Sequence, residues 1–175
     1  MVQLFELLSS KSVSVVLGFF LGHPTTEIYA EKLRGKIKIS KKSLFDALAK
    51  LEKESLLASK RVGRVKTYSL NREKPVVKQL KILHSVSRLE PLLGGFRGHA
   101  EVYLFGSAAR GEDTETSDID LLVIGKTERS TAARILKDEM RQIRPVIMTA
   151  LEYSRLSRAD PAFYERIEKD KIKLV

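Results

Sequence analysis

The sequence predicts an α+β protein of two modules: a basic, mainly helical N-terminal half, and a C-terminal half in which helices and strands alternate around a small mixed sheet. Residues 1–90 carry 18 basic and 8 acidic side chains, whereas residues 91–175 carry 14 of each, so the net charge of +10 belongs to the first half. Residues 94–98 include three glycines, a composition typical of a hinge. We therefore predict domains at residues 1–90 and 91–175.

The composition excludes several classes of protein and site. The chain contains no Cys, which removes thiolate nucleophiles, disulfides and Cys-rich zinc sites, and its three His lie far apart in sequence. Carboxylates are the remaining candidate metal ligands. The longest apolar run, residues 13–21, is about half the ~20 residues needed to cross a bilayer, and the N-terminus lacks the basic segment of a secretory signal. We expect a soluble, cytoplasmic protein.

Three helices followed by a hairpin are predicted in the first half. After an apolar helix at residues 13–21, a threonine of the pair at 25–26 caps a second helix that ends near Gly35. Ser40 caps a third helix over residues 41–53, in which apolar side chains recur at 44, 48 and 51 and form one stripe. Residues 56–70 are predicted to form a hairpin that turns at Gly63.

Cationic side chains concentrate on the start of the third helix and on the tip of the hairpin. Such a basic surface suits contact with phosphate, although lysines on solvated helix faces produce the same composition. The predicted contacts to nucleic acid are Lys41, Lys42, Ser43, Lys60, Arg61, Arg64 and Lys66.

The order of these elements over residues 10–71 resembles the winged helix-turn-helix family of DNA-binding regulators in its ArsR/MarR-like form. The resemblance implies that the third helix enters the major groove of double-stranded DNA and that the hairpin follows the backbone. Ser55 stands where a glycine usually closes this helix. A winged helix that binds protein or is purely structural is the alternative. Apolar stripes flank the motif at residues 4, 7 and 8 and at residues 76, 80, 83, 86 and 89. Because flanking helices often form the dimer in such regulators, we expect a homodimer.

A pair of aspartates carries the chemistry predicted for the second half. A strand over residues 101–105 ends at Gly106 and Ser107, and Asp118 and Asp120 lead into a second apolar strand. Alternation along a strand places both carboxylates on one face. Adjacent carboxylates repel each other unless a cation lies between them, and Mg²⁺ usually takes one or two carboxylates together with phosphate oxygens. Gly106 permits close backbone approach, and the amides beyond it, with the Ser107 hydroxyl, can hold phosphate.

The motif Gly-Ser, ten residues, then Asp118-Ile-Asp120 closely resembles the minimal nucleotidyltransferases of the polymerase-β superfamily, with Arg110-Gly111 and Ser117 also in place. The resemblance implies that Asp118 and Asp120 are catalytic and bind two Mg²⁺ ions. It further implies that a nucleotidyl group passes from a nucleoside triphosphate, with ATP the expected donor, to a hydroxyl. The residues that it assigns to the nucleotide are Gly106, Ser107 and Arg110. Arg110 either contacts the triphosphate or fixes the loop.

Active members of that family carry a third carboxylate on a later strand. Here a helix over residues 130–143 is predicted to lead into a strand at 144–148, and residues 141–151 contain no Asp or Glu. Without this ligand the second metal is weakened and the expected base is lost, each worth about 10² to 10⁴-fold in rate. Thr149 and Glu152 fit a capping box, and Asp160 fits an N-cap. Acids that could substitute, each better explained as a surface charge, are Glu101, Glu112, Asp113, Glu115 and Glu139.

Three functions therefore remain open at the level of sequence. The first is a dimeric DNA-binding regulator fused to a Mg²⁺-dependent nucleotidyltransferase domain that binds a nucleoside triphosphate. The second is a regulator whose catalytically degenerate domain senses nucleotide or pairs with a protein partner. The third resembles the antitoxin role known in the family, in which a minimal nucleotidyltransferase modifies or masks a toxin. The missing acid favours the second function, and the intact aspartate pair favours retained metal chemistry.

Overall fold

The computed structural model describes residues 4–126, 129–136 and 142–175. The chain divides into two compact units, Met1–Leu80 and Lys81–Val175. The division falls before the glycine-rich segment, which belongs to the second unit as a 3₁₀ helix, Glu90–Phe96, with Leu93 and Phe96 buried. Gly95 is required by packing, since a Cβ there would lie 2.9 Å from the Ile135 side chain. Among the described residues, no helix combines the length and apolar character needed to span a membrane.

The first unit places helices beside a three-stranded antiparallel sheet of order β1-β3-β2. Its elements are α1 (Leu4–Leu8), α2 (Lys11–Gly22), β1 (Ile28–Tyr29), α3 (Ala30–Arg34), α4 (Lys41–Lys53), β2 (Leu57–Val62) and β3 (Val65–Leu70). The predicted stripe of α4 is confirmed, because Leu44, Leu48 and Leu51 are fully buried. The predicted cap is confirmed too, since the Ser40 hydroxyl accepts the Ser43 amide at 3.1 Å.

The start predicted for the second helix is wrong. The helix, α3, begins at Ala30, and neither threonine at 25–26 precedes it as a cap. Ile28 and Tyr29 instead form a short strand whose partners are Tyr68 and Thr67 on β3. Ile28 is buried, as suits a β-branched residue in a sheet. The pairing joins segments about forty residues apart, which local capping signals cannot reveal.

The hairpin predicted at Gly63 is confirmed. Val62 pairs with Val65 across the turn, and Gly63 has a left-handed φ of 61°. The chain enters β2 through Ser55, which also has a left-handed φ, of 54°. The amides of Ser55 and Leu56 bond the carbonyls of Glu52 and Leu51, which is the Schellman arrangement that closes a helix.

Helix α5 (Pro75–Leu89) follows the first sheet, and its buried positions differ from the predicted stripe. Leu80 and Leu89 are buried as expected, but Leu83 is 60% exposed. The residues buried at a spacing of four are Val77, Lys81, Ser85 and Leu89. Val76 and Val86 are partly buried against the cores, so the predicted stripe fails only at Leu83, and the apolar pattern did not show that Lys81 and Ser85 are buried as well.

The second unit is built on a mixed sheet of order β6-β5-β4-β7, with β5 and β6 parallel and the other pairs antiparallel. Its further elements are β4 (Ala100–Phe105), α6 (Gly106–Ala109), β5 (Ile119–Gly125), α7 (Arg129–Ile135), β6 (Ile143–Met148), α8 (Ala150–Ala159), α9 (Pro161–Asp170) and β7 (Ile172–Lys173). The predicted capping box at Thr149 and the N-cap at Asp160 are confirmed. Ile143, predicted as the end of a helix, begins β6, where it pairs with Ile119. Residues 137–141, within that predicted helix, lie outside the described part of the chain.

The two faces of this sheet have separate cores. On one face Leu121 and Val123 pack with residues of α7 and the 3₁₀ helix. On the other, Leu122 packs with Ile167 of α9 and Leu156 of α8. Because side chains alternate along β5, Asp120 belongs to the face covered by α8 and α9.

Candidate active site

The bend after β4 brings backbone and carboxylate close together. Phe105, the last residue of β4, is the register partner of Asp120 on β5. Gly106 follows with a φ of 75°, and a Cβ built on it would lie 2.5 Å from the Oδ2 atom of Asp120. The left-handed backbone favours glycine here, and a Cβ would in addition force the Asp120 carboxylate to shift.

The two aspartates lie within electrostatic range of each other. Asp120 is partly buried, and its pKa is raised, first by burial and then by the negative charge of Asp118. The Asp118 side chain is 37% exposed, and its Oδ2 atom pairs with Nη2 of Arg144 at 3.0 Å. The site thus brings two negative charges together. Their partial burial and mutual repulsion cost free energy, which a bound cation would relieve.

Arginines on separate elements surround the aspartate pair. Arg144 of β6 is the register partner of Asp120 in the parallel pairing of β5 and β6. The positive charges of Arg144, Arg166 and Arg110 all lower the pKa of Asp120, in part offsetting the rise. Sequence reasoning missed Arg144 and Arg166. A charged residue at the start of the apolar strand 143–148 was the signal available for Arg144.

Arg110 is held by two carboxylates. Its Nε atom donates to Glu112 at 2.9 Å, and its Nη1 atom donates to Asp170, at the end of α9, at 2.5 Å. The Asp170 side chain is only 10% exposed. Of the two roles left open by the sequence, these contacts are those of a residue that fixes the loop against α9.

A buried lysine that the sequence did not reveal holds the loop between Arg110 and Asp118. The Lys81 side chain is 1% exposed, and its Nζ atom pairs with Asp113 Oδ1 at 2.7 Å and also donates to the Asp113 carbonyl. The Ser117 hydroxyl accepts the Thr114 amide at 2.9 Å. These contacts order the segment that ends at Asp118. Lys81 lies outside the predicted apolar stripe, and its neighbours in sequence gave no sign of this partner.

No carboxylate on β6 accompanies the pair, as the sequence indicated. The other candidates have partners of their own: Glu101 pairs with Lys173, Glu112 with Arg110, and Asp113 with Lys81. Glu115 also has an interaction partner, and Glu139 lies outside the described residues. Over the described part of the chain, no three acidic or histidine side chains group together as a metal site. The described donor set fits a Mg²⁺ ion whose coordination is completed by phosphate oxygens.

The predicted DNA contacts of the first unit divide into paired and unpaired cations. Three pair with acids of the same unit: Lys41 with Glu31 at 3.2 Å, Lys60 with Glu27 at 2.6 Å, and Lys66 with Glu52 at 2.7 Å. The Ser43 hydroxyl lies 2.8 Å from that of Ser40, within the cap of α4. Across residues 4–80, no ion pair involves Lys42, Arg61 or Arg64, and all three are exposed. Their charges are the ones available to a partner.

Two further features of this surface were missed. Lys36 and Lys38 are exposed in the loop between α3 and α4. At the hairpin tip, Val62 and Val65 are 56% and 48% exposed. The two lysines at 36 and 38, separated by one residue, were the sequence signal that could have indicated a basic loop.

Comparison with known proteins identifies the second unit. The family described as "Nucleotidyltransferase domain" matches residues 81–174. The sequence of a protein from Sulfolobus solfataricus, whose crystal structure is described as that of a "putative nucleotidyltransferase", is 24% identical to this one. The match covers 59% of this chain and 88% of that chain, with a TM-score of 0.36. At that TM-score the likeness adds nothing to the family match. No curated protein matches the chain.

Proposed function

We propose, from the premise that the chain belongs to the nucleotidyltransferase domain family, that its second unit binds a nucleoside triphosphate together with one Mg²⁺ ion. The observation that carries the proposal is the close approach of the Gly106 backbone to the Asp120 carboxylate. A metal held by Asp118 and Asp120 would lie beside the backbone of the Gly106-Ser107 bend. The expected nucleotide is ATP.

Each residue of the site has a task in this proposal. Asp118 and Asp120 hold the Mg²⁺ ion, which when bound neutralises charge on the phosphates. The amides that follow Gly106, with the Ser107 hydroxyl, contact a phosphate group. Arg110 and its partner Asp170 keep the bend in place against α9.

Transfer of the nucleotidyl group makes a further demand on the site. A hydroxyl acceptor needs a base, and among the described candidates Glu101, Glu112 and Asp113 pair with cations, while Glu152 caps a helix. Loss of general base catalysis lowers the rate by about 10² to 10⁴-fold. We therefore propose retained binding of nucleotide with slow transfer or none, which is the property of a sensor.

Labelled ATP distinguishes these outcomes. The protein is incubated with the label and Mg²⁺, with DNA, RNA and the protein itself as acceptors, and both retained and transferred label are measured. Retention that is lost in Asp118→Asn and in Asp120→Asn, and kept in Glu165→Gln on the exposed side of α9, supports the proposal. Transfer that depends on the same aspartates establishes an enzyme. Absence of retained label refutes nucleotide binding.

We propose that the first unit is a winged helix-turn-helix module that binds double-stranded DNA. The order of α2, α3, α4 and the β2–β3 hairpin supports this, as do the exposed cations Lys42, Arg61 and Arg64. In this arrangement α4 enters the major groove and the hairpin follows the backbone. The exposed Phe5 on α1 supports the proposal of a homodimer, which sedimentation tests directly.

The ion pairs of the first unit sharpen the DNA experiment. Each phosphate contact contributes about 0.9 to the slope of log affinity against log salt. We expect Arg61→Gln and Arg64→Gln each to lower that slope by about 1. Lys66→Gln is the matched control and has a smaller effect, because Lys66 is already neutralised by Glu52. An unchanged slope in both arginine variants refutes the role of the hairpin.

A further inference from the structure

Arg144 is placed at the aspartate pair by the backbone of the sheet. It is the register partner of Asp120, and its guanidinium pairs with Asp118 at 3.0 Å. Its side chain is 72% exposed, so it can leave this contact without unpacking a core. The guanidinium thus offsets part of the negative charge of the pair and can also move.

A divalent ion at Asp118 would compete with Arg144 for the carboxylate that the guanidinium contacts. The positive charge of Arg144 would also repel a cation at this site. A phosphate group gives the guanidinium another partner, since arginine binds phosphate oxygens through two parallel hydrogen bonds. Arrival of phosphate therefore removes the competitor from the carboxylates.

We propose that Arg144 couples metal binding to phosphate binding at this site. In the free protein it neutralises Asp118 and weakens the site for a divalent ion. In the presence of a triphosphate it contacts a phosphate, and the carboxylates become available to the metal. This inference rests on the proposed nucleotide site. It assigns to Arg144 a positioning and selectivity role: the site fills with metal and triphosphate together.

Two binding measurements test this proposal without any measurement of turnover. In the first, Mn²⁺ is titrated into nucleotide-free protein and free Mn²⁺ is followed by electron paramagnetic resonance. In the second, a non-hydrolysable ATP analogue is titrated by calorimetry in the presence of EDTA. Arg144→Gln removes the charge, Arg144→Lys retains it, and Arg158→Gln on α8 removes an exposed charge elsewhere in the unit.

The expected effects of Arg144→Gln have opposite signs. Mn²⁺ affinity rises roughly tenfold, as expected when one unit charge near a divalent ion is removed in hydrated surroundings. Affinity for the metal-free analogue falls several-fold, because a phosphate contact is lost. Arg144→Lys recovers most of both changes, and Arg158→Gln produces neither. A role confined to folding would not shift the two affinities in opposite directions.

Each contrary result is informative. Unchanged or weaker Mn²⁺ binding in Arg144→Gln overturns the proposal, and so does a rise in Mn²⁺ affinity with no loss of analogue affinity. Failure of the proposed function is recognised separately, because the unsubstituted protein would then bind no analogue even with Mg²⁺. That result also removes the phosphate half of the coupling, whereas the nucleotide-free Mn²⁺ titration still tests the competition.

Discussion

Replacement of Gly106 by alanine tests the geometry of the candidate site most sharply. The left-handed φ of 75° costs an ordinary residue about 1–2 kcal/mol. The new Cβ would also lie 2.5 Å from Asp120 Oδ2, and overpacking of this kind costs about 1–3 kcal/mol. Gly106→Ala should therefore lower the free energy of unfolding of the second unit by about 2–5 kcal/mol. The assay is urea unfolding at pH 7, followed by circular dichroism.

Gly98→Ala supplies the matched control. Gly98 has nearly the same φ, 79°, but a Cβ there meets nothing within 4 Å. Gly98→Ala should therefore lower the free energy of unfolding only by the cost of the left-handed backbone, about 1–2 kcal/mol. The difference between the two variants isolates contact with the carboxylate.

A double substitution identifies the carboxylate as the cause. In an Asp120→Ala background the conflicting oxygen is absent, so Gly106→Ala should cost no more than Gly98→Ala does. This corresponds to a coupling of about 1 kcal/mol or more between the two positions. If Gly106→Ala and Gly98→Ala are equally costly in the unsubstituted protein, the close approach of the bend to Asp120 is refuted.

Three further predictions concern other parts of the molecule. Ser55→Gly should raise the stability of the first unit by up to about 1 kcal/mol, because Ser55 has a left-handed φ at the end of α4; a lower melting midpoint would contradict this. Lys81→Met should cost about 2–4 kcal/mol in urea unfolding, since it leaves the Asp113 carboxylate without its partner, and a change within error would be contrary. Asp120→Asn should stabilise the protein at pH 7. The pKa of Asp120 is higher in the folded protein than in the unfolded chain, where it is about 3.9. The folded protein therefore loses stability as the pH rises from the unfolded pKa through the folded pKa. The gain should therefore vanish in melts below that range, and a gain that persists there would argue against its cause.

Local chemistry explains which parts of the fold were predictable from the sequence. Helix starts were predictable where a side chain caps the helix, because a cap is an interaction between residues close in sequence. This holds for Ser40, Thr149 and Asp160. The hairpin at Gly63 is equally local. Asp118 and Asp120 were singled out by their spacing before an apolar strand together with the family motif, and their roles stay predictions.

Long-range contacts explain what the sequence could not reveal. The pairing of Ile28 with Tyr68 makes a strand where capping rules predict a helix. The burial of Lys81 depends on its ion pair with Asp113, which lies 32 residues away. Arg144 reaches the aspartate pair only because β6 lies parallel to β5 in a particular register. In each case the local sequence does not show which distant residue is the contact partner.

The most direct test of the nucleotide site is a crystal structure of the protein with a non-hydrolysable ATP analogue and Mn²⁺, with data collected for the anomalous signal of manganese. We predict one anomalous peak, bridging the carboxylates of Asp118 and Asp120, with the phosphates against the Gly106-Ser107 bend. A bound analogue with its metal away from both carboxylates, or no bound analogue at saturating concentration, would contradict the account.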